Sequence, residues 1–153
     1  AAAPRADATH LAHGTIRSAV ELGGPPGGAD GAVAGPDAVA LVTDAMAAAG
    51  MADGAYELGP MRVTVAHGVA RLTDGGAIAG GTYHLLDVVR ETVEAGVPLV
   101  DAVRAASWTP AGVLGLDDRG GLVAGLRADV VVTDGDLRVR EVLRGGEGVD
   151  LSA

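Results

Sequence analysis

Ala38-Val39-Ala40-Leu41-Val42-Thr43-Asp44-Ala45-Met46-Ala47-Ala48-Ala49-Gly50-Met51 is the stretch on which the fold reading turns. Ala38 to Thr43 is a short, uninterrupted apolar run with β-branched residues, stopped by a carboxylate. Such a run reads as a strand buried on both faces, as in the parallel sheets of α/β proteins. Asp44 then stands at the C-terminal end of that strand, the place where barrel enzymes carry catalytic groups. The same position also suits an N-cap aspartate ahead of a helix over Ala45 to Ala49.

Downstream, Met61 to Ala66 and Val69 to Thr73 are two strand-like runs around His67-Gly68, and they predict a β-hairpin over about 61–73. Gly75-Gly76-Ala77-Ile78-Ala79-Gly80-Gly81-Thr82 precedes the clearest helix. Backbone N–H groups at a helix N-terminus bind anions or polar substrates; a glycine-rich hinge without ligand is the plainer reading. From Tyr83 onward, Leu85, Val88, Val89 and Val93 follow an i, i+3, i+4 pattern. Thr82 and Thr92 are the candidate caps, and Gly96 is placed as a C′ glycine. Pro98 precedes a second helix, Leu99 to Ala106, and Thr109-Pro110 opens a third with Pro at its first position. Ala128 to Val132 and Leu137 to Leu143 read as strands of a small β unit.

Upstream, Thr15 to Leu22 fits either a helix or a strand. Gly23 to Pro36, dense in Gly, Pro and Asp, reads as a loop or linker where a deletion would be hidden. His10 and His13 would share a face on a helix. Two histidines are fewer than the three or four ligands of a metal site, so by themselves they read as surface or structural groups. His67 falls in the turn and His84 at the helix start, and both are expected to be solvated.

The composition sets the outer limits. The chain has 153 residues, 48% hydrophobic, with 25 glycines, no Phe, no Cys and a formal net charge of −9; its aromatic residues are Tyr56, Tyr83 and Trp108. Every basic residue is an arginine, and none forms a basic run. An acidic surface of this kind argues against nucleic acid or an anionic membrane as partner. Without cysteine there is no disulfide framework and no thiol metal site. No signal peptide and no apolar stretch near ~20 residues is visible, so the expectation is a soluble, cytoplasmic protein. A core of Ala, Val and Leu buries little area per residue, at ~25 cal/mol per Å². Stability is therefore expected to be marginal unless a partner chain covers exposed surface.

Read together, these segments resemble the N-acetylglucosamine-6-phosphate deacetylase family of the amidohydrolase superfamily. Leu41 to Met51 is similar to the signature in which an Asp ends the last barrel strand, and Ala77 to Thr82 resembles the loop that contacts substrate. Ala105-Ala106-Ser107-Trp108-Thr109-Pro110-Ala111 through Leu114-Gly115-Leu116 is similar to a stretch found across the superfamily. Gly121 to Gly125 and Ala128 to Val132 resemble its terminal strands. The resemblance runs from Pro36 to about Gly145. Ala8-Thr9-His10-Leu11 is similar to a further motif, with His13 and Gly14 standing where the family has Asn and Ala.

The resemblance implies an α/β fold: the C-terminal portion of a (β/α)8 TIM-type barrel of the metal-dependent hydrolase class (1–116), then strands of a small β-sandwich domain (117–153). It implies hydrolysis of the N-acetyl amide of an amino-sugar phosphate. Asp44 would be the acid/base, His10 a ligand of a divalent metal, zinc first, and His13, Gly14, Ile78, Ala79 and Gly80 substrate contacts. The family's other metal ligands, the Asp-Gly-x-His strand and the phosphate-gripping Arg have no counterpart, which reads as truncation and internal deletion. The alternatives are a non-catalytic fragment and another C–N hydrolase of the superfamily. An open parallel sheet would expose its edge and its helices' apolar faces, which predicts a homodimer or aggregation.

Overall fold

The computed structural model describes residues 39–152, which divide into two compact units, one over Leu41–Val97 and one over 39–40 and 98–152. In the first unit, β1 (Gly54–Leu58), β2 (Met61–Ala66) and β3 (Val69–Leu72) form an antiparallel sheet in that order. The alternation along β2 decides its faces, with Val63 and Val65 buried while Arg62, Thr64 and Ala66 are exposed. Val63 sits opposite Tyr56 on one side and Leu72 on the other, and Val65 opposite Ala70. The core of this unit is Ala48, Val63, Val65, Ala70 and Ala79, with Met46, Tyr56, Leu58 and Leu72 packed against it. Val63 and Thr92 are the largest side chains fully buried among the described residues.

His67 and Gly68 both have positive φ (53° and 74°), as a two-residue hairpin turn matching the strand twist requires. The Asp53 carboxylate accepts hydrogen bonds from both turn amides, His67 N at 2.6 Å and Gly68 N at 3.0 Å. β1 has no counterpart among the expected elements. Gly, Ala and Glu are poor strand formers, and the segment pairs because Tyr56 and Leu58 pack on the buried face of β2.

The expected strand over Ala38 to Thr43 is not formed among residues 39–43, and the expected helix over Ala45 to Ala49 is a turn. A parallel strand needs neighbours on both edges to satisfy its backbone. The described residues offer this segment one parallel contact, the bridge between Ala45 and Gly81. Beyond it, Ala49 N bonds Met46 O and Met51 N bonds Ala48 O, both i to i+3. Gly50 (φ 73°) then ends the turn, and its N–H goes to Thr82 O at 3.0 Å instead of continuing a helix.

Helix α1 (Leu85–Glu94) buries Val89 and Thr92. Neither candidate threonine caps it. His84 is the N-cap, and its N–H is taken by the Asp87 carboxylate at 3.0 Å, which also places a negative charge in the first turn. Thr92 lies inside the helix and donates to Val88 O at 2.7 Å. Gly96, at φ 96°, follows the C-cap Ala95 in the left-handed conformation.

The second unit opens with α2 (Leu99–Ala106) and α3 (Trp108–Val113). Ala102, Ala105, Thr109 and Ala111 are buried between these helices and their surroundings. Pro110 is the third residue of α3 and not the first. It is tolerated there because first-turn N–H groups have no partner within the helix. β4 (Val130–Thr133), β5 (Val139–Arg144) and β6 (Glu147–Gly148) make a second antiparallel sheet in that order. Val130 faces Leu143 and Val131 faces Val142, with the register shifting between Val132 and Thr133. Gly121 to Gly125, which resembles a terminal strand, is turn and coil here, with Leu122 84% exposed. Nothing among the described residues pairs with it.

Candidate functional site

The site is built from the loop that precedes α1 and from the turn that follows Asp44. Ile78 to Thr82 is held on both flanks. On one side Leu72 N donates to Ala77 O at 2.8 Å and Ala79 N to Ala70 O at 2.9 Å, which stitches the loop to β3. On the other side Gly81 N donates to Asp44 O at 2.6 Å and Met46 N to Gly81 O at 2.9 Å. The glycine-rich stretch and the aspartate therefore share one backbone ladder.

That ladder demands glycine. A Cβ on Gly81 would stand 2.1 Å from Thr43 O, and one on Gly80 would stand 3.0 Å from Asp44 O. Gly80 also has φ 94°, which L side chains rarely adopt. Asp44 itself sits at φ 49°, a left-handed backbone that Asp and Asn tolerate better than most residues. Its side chain is exposed, as is that of Ile78, whereas Ala79 is buried in the core of the first unit. Thus Asp44 and the Ile78–Gly80 loop lie side by side, the aspartate free to face solvent and the loop anchored through Ala79.

Of the remaining expected site residues, His10, His13 and Gly14 lie outside the described residues. Among the described residues no group of three or more His, Asp or Glu side chains is placed to hold a metal ion. The described residues therefore do not fit a metal centre on their own. No helix among them is long and apolar enough to cross a membrane.

Two side chains near this ladder make contacts that the expectations of a capping Thr82 and a solvated His84 did not include. The His84 ring lies over Gly50, so close that a Cβ there would meet Nε2 at 2.5 Å, and the ring thus borders the end of the Asp44 turn. Thr82 donates its hydroxyl to Gly68 O in the hairpin turn. Elsewhere the perturbed groups belong to the second unit. Asp134 is held below the usual carboxylate range by hydrogen bonds from the backbone amides of Arg138 and Asp136 and from Arg140. Asp118 is lowered by its hydrogen bond from Arg119.

Comparison with known proteins gives this geometry a setting. The N-acetylgalactosamine-6-phosphate deacetylase of Escherichia coli O157:H7 is 43% identical over 106 residues, covering 68% of this chain and 28% of its own. The N-acetylglucosamine-6-phosphate deacetylase of Vibrio furnissii is 39% identical over 66% of this chain and 26% of its own. Among solved structures, N-acetyl-D-glucosamine-6-phosphate deacetylase of Mycobacterium smegmatis, crystallised as a mutant in complex with N-acetyl-D-glucosamine-6-phosphate, matches with a TM-score of 0.73 at 39% identity. It covers 93% of this chain and 34% of that one. The corresponding enzyme of Thermotoga maritima matches with a TM-score of 0.70 at 38% identity, covering 76% and 32%. The chain thus spans about a third or less of the length of these relatives. The amidohydrolase family model covers residues 34–149, which include Asp44, the loop and both sheets, and the chain belongs to the amidohydrolase family.

Proposed function

We propose that the chain serves the hydrolysis of the N-acetyl amide of N-acetylglucosamine 6-phosphate, giving glucosamine 6-phosphate and acetate. In this reading residues 1–116 are the closing portion of a (β/α)8 barrel and 117–153 the strands of a small β-sandwich. The observation that carries it is the ladder joining Asp44 to Gly81, with a 2.6 Å bond at its centre. It sets the exposed Asp44 carboxylate beside the Ile78–Gly80 loop, which the ladder and the bonds to β3 hold in place.

Asp44 takes a proton from the attacking water as the C–O bond forms, then gives it to the amine as the tetrahedral adduct collapses and the C–N bond breaks. The backbone of Ile78, Ala79 and Gly80 holds the sugar, with His13 and Gly14 as further contacts. The family is generally metal-dependent, and His10 is the zinc ligand this reading assigns to the chain. Since the described residues provide no metal centre, the roles given to Asp44 and the loop are stated for those residues alone. A phosphorylated sugar does not cross membranes unaided, so the cytoplasm is the proposed setting, with a homodimer as the proposed assembly.

A second substrate stands beside the first. Relatives at 43% identity are named for N-acetylgalactosamine 6-phosphate, against 39% for the glucosamine-named enzyme of V. furnissii. The test is acetate release from both sugar phosphates by the purified chain with and without zinc, beside Asp44→Asn. Asparagine accepts the left-handed backbone as well as aspartate does, so the variant removes the base and keeps the fold. Zinc-dependent release that disappears in the variant is the expected result. Release that persists in Asp44→Asn would remove the acid/base role, and no release from either sugar by the wild type would favour a non-catalytic fragment.

A further inference from the structure

We propose that Thr82 is a positioning residue, fastening the Asp44 turn and the Ile78–Gly80 loop to the three-stranded sheet. This rests on the deacetylase reading for its purpose, but not for its geometry. Thr82 is bonded at both ends. Its hydroxyl donates to Gly68 O, inside the β2–β3 turn, while its own carbonyl accepts Gly50 N at 3.0 Å, closing the turn that begins at Asp44. Its neighbour Gly81 makes the two bonds to Asp44 O and Met46 N.

The far end of this connection is itself fixed. The Asp53 carboxylate grips His67 N and Gly68 N, so the carbonyl that receives the Thr82 hydroxyl belongs to a turn with little freedom to move. The chain of contacts runs Asp53, His67–Gly68, Thr82, Gly50 and Gly81, and ends at Asp44. Without the hydroxyl, the loop keeps its stitches to β3 through Ala77 and Ala79 but loses the bond that sets Thr82 against the turn. Asp44 already occupies a sparsely populated left-handed backbone, so it depends on its surroundings to stay there. A displacement of about 1 Å in a reacting group is enough to cost about a hundredfold in rate.

The experiment is amide hydrogen exchange on the intact chain, comparing wild type, Thr82→Val and Thr82→Ser. Valine keeps the shape and removes the hydroxyl, whereas serine keeps the hydroxyl. Exchange at Gly50, Gly81 and Met46 is expected to rise roughly fivefold in Thr82→Val, the scale of one lost hydrogen bond. It should return toward wild type in Thr82→Ser, with the β2–β3 amide at Thr73, which donates to Arg62 O, unchanged in both. Unchanged exchange at Gly50 and Gly81 in Thr82→Val would overturn the proposal. So would an equal rise across the whole sheet, which would make Thr82 a general contributor to stability. Acetate release is measured alongside: a silent wild type counts against the deacetylase reading only, because the exchange pattern decides the role of Thr82 without turnover.

Discussion

Gly81→Ala tests the ladder at its tightest point. Gly81 is not in the left-handed region, so alanine meets no backbone penalty there, and any cost comes from the close approach itself. The added Cβ would lie 2.1 Å from Thr43 O and 3.3 Å from Asp44 O, where ordinary contact begins at 3.4 Å. Both neighbours are backbone, so no side chain can swing aside, and the two segments must part by about 1 Å or more. That separation breaks the bonds from Gly81 N to Asp44 O and from Met46 N to Gly81 O. Two backbone hydrogen bonds at ~1 kcal/mol each, with up to ~2 kcal/mol of overpacking left after the movement, amount to about 2–4 kcal/mol. With a urea slope of about 1–2 kcal/mol per M for a unit this small, the midpoint of the first unit should fall by roughly 2 M. Urea titration followed by tyrosine emission reads that unit, since Tyr56 and Tyr83 lie in it and Trp108 reports the other. Gly112→Ala in α3, where an added Cβ meets nothing within 4 Å, should instead stabilise by up to ~1 kcal/mol through helix propensity. A Gly81→Ala midpoint within a few tenths of a molar of wild type would refute the close approach as described.

Asp53→Ala removes the acceptor of both turn amides, and because the turn is exposed the loss should be only about 1 kcal/mol, read as a lowered urea midpoint with faster exchange at His67 and Gly68. Val63→Ala empties a fully buried position between Tyr56 and Leu72 and should cost about 2 kcal/mol in the same titration. Asp134 carries a pH signature. Its folded carboxyl is lower than its unfolded one, so its contribution to the β4–β5 hairpin is complete above the ordinary Asp value and fades as pH falls through the lowered folded value. Thermal midpoints measured between pH 2 and pH 6 should therefore drop less steeply toward acid in Asp134→Asn than in wild type, and equal slopes would contradict the assignment.

Which parts of the molecule were legible follows from how local their causes are. His67-Gly68 between two β-branched runs is readable because the turn's backbone demand lies in the two residues themselves. Helix α1 is readable from Val88, Val89 and Val93 at helical spacing and from Gly96 behind it, and α2 from Pro98 in front of it. β1 was not, since Gly54, Ala55 and Glu57 carry no strand preference and the strand exists only through Tyr56 and Leu58 against β2. Leu41 to Thr43 failed in the opposite sense. Its residues prefer a buried strand, but a strand of that kind is a property of its neighbours, and the described residues supply a single bridge at Ala45. The same holds for Leu122 and Val123, apolar residues in an expected strand that find no ladder and stay exposed. At the site, the nearness of Asp44 to Ile78–Gly80 is implied in the sequence only by family resemblance. The role of Thr82 was invisible because its hydrogen bond crosses to Gly68, fourteen positions earlier.

The small-residue core has a consequence for how the protein tolerates change. Of the buried apolar positions among the described residues, Ala48, Ala70, Ala79, Ala102, Ala105 and Ala111 are alanine, Val63, Val65, Val89 and Val97 are valine, and Leu41 is the one leucine. Most proteins are damaged from within by truncation, because their interiors are made of side chains that can be cut back. Here the six alanines leave almost nothing to cut. Nearly every substitution at these alanines enlarges the residue, so backbones held together at alanine distance must be pushed apart to admit it. The described interior is thus vulnerable to growth at its alanines as well as to loss at its valines, and mutational drift through it should be narrow in both directions.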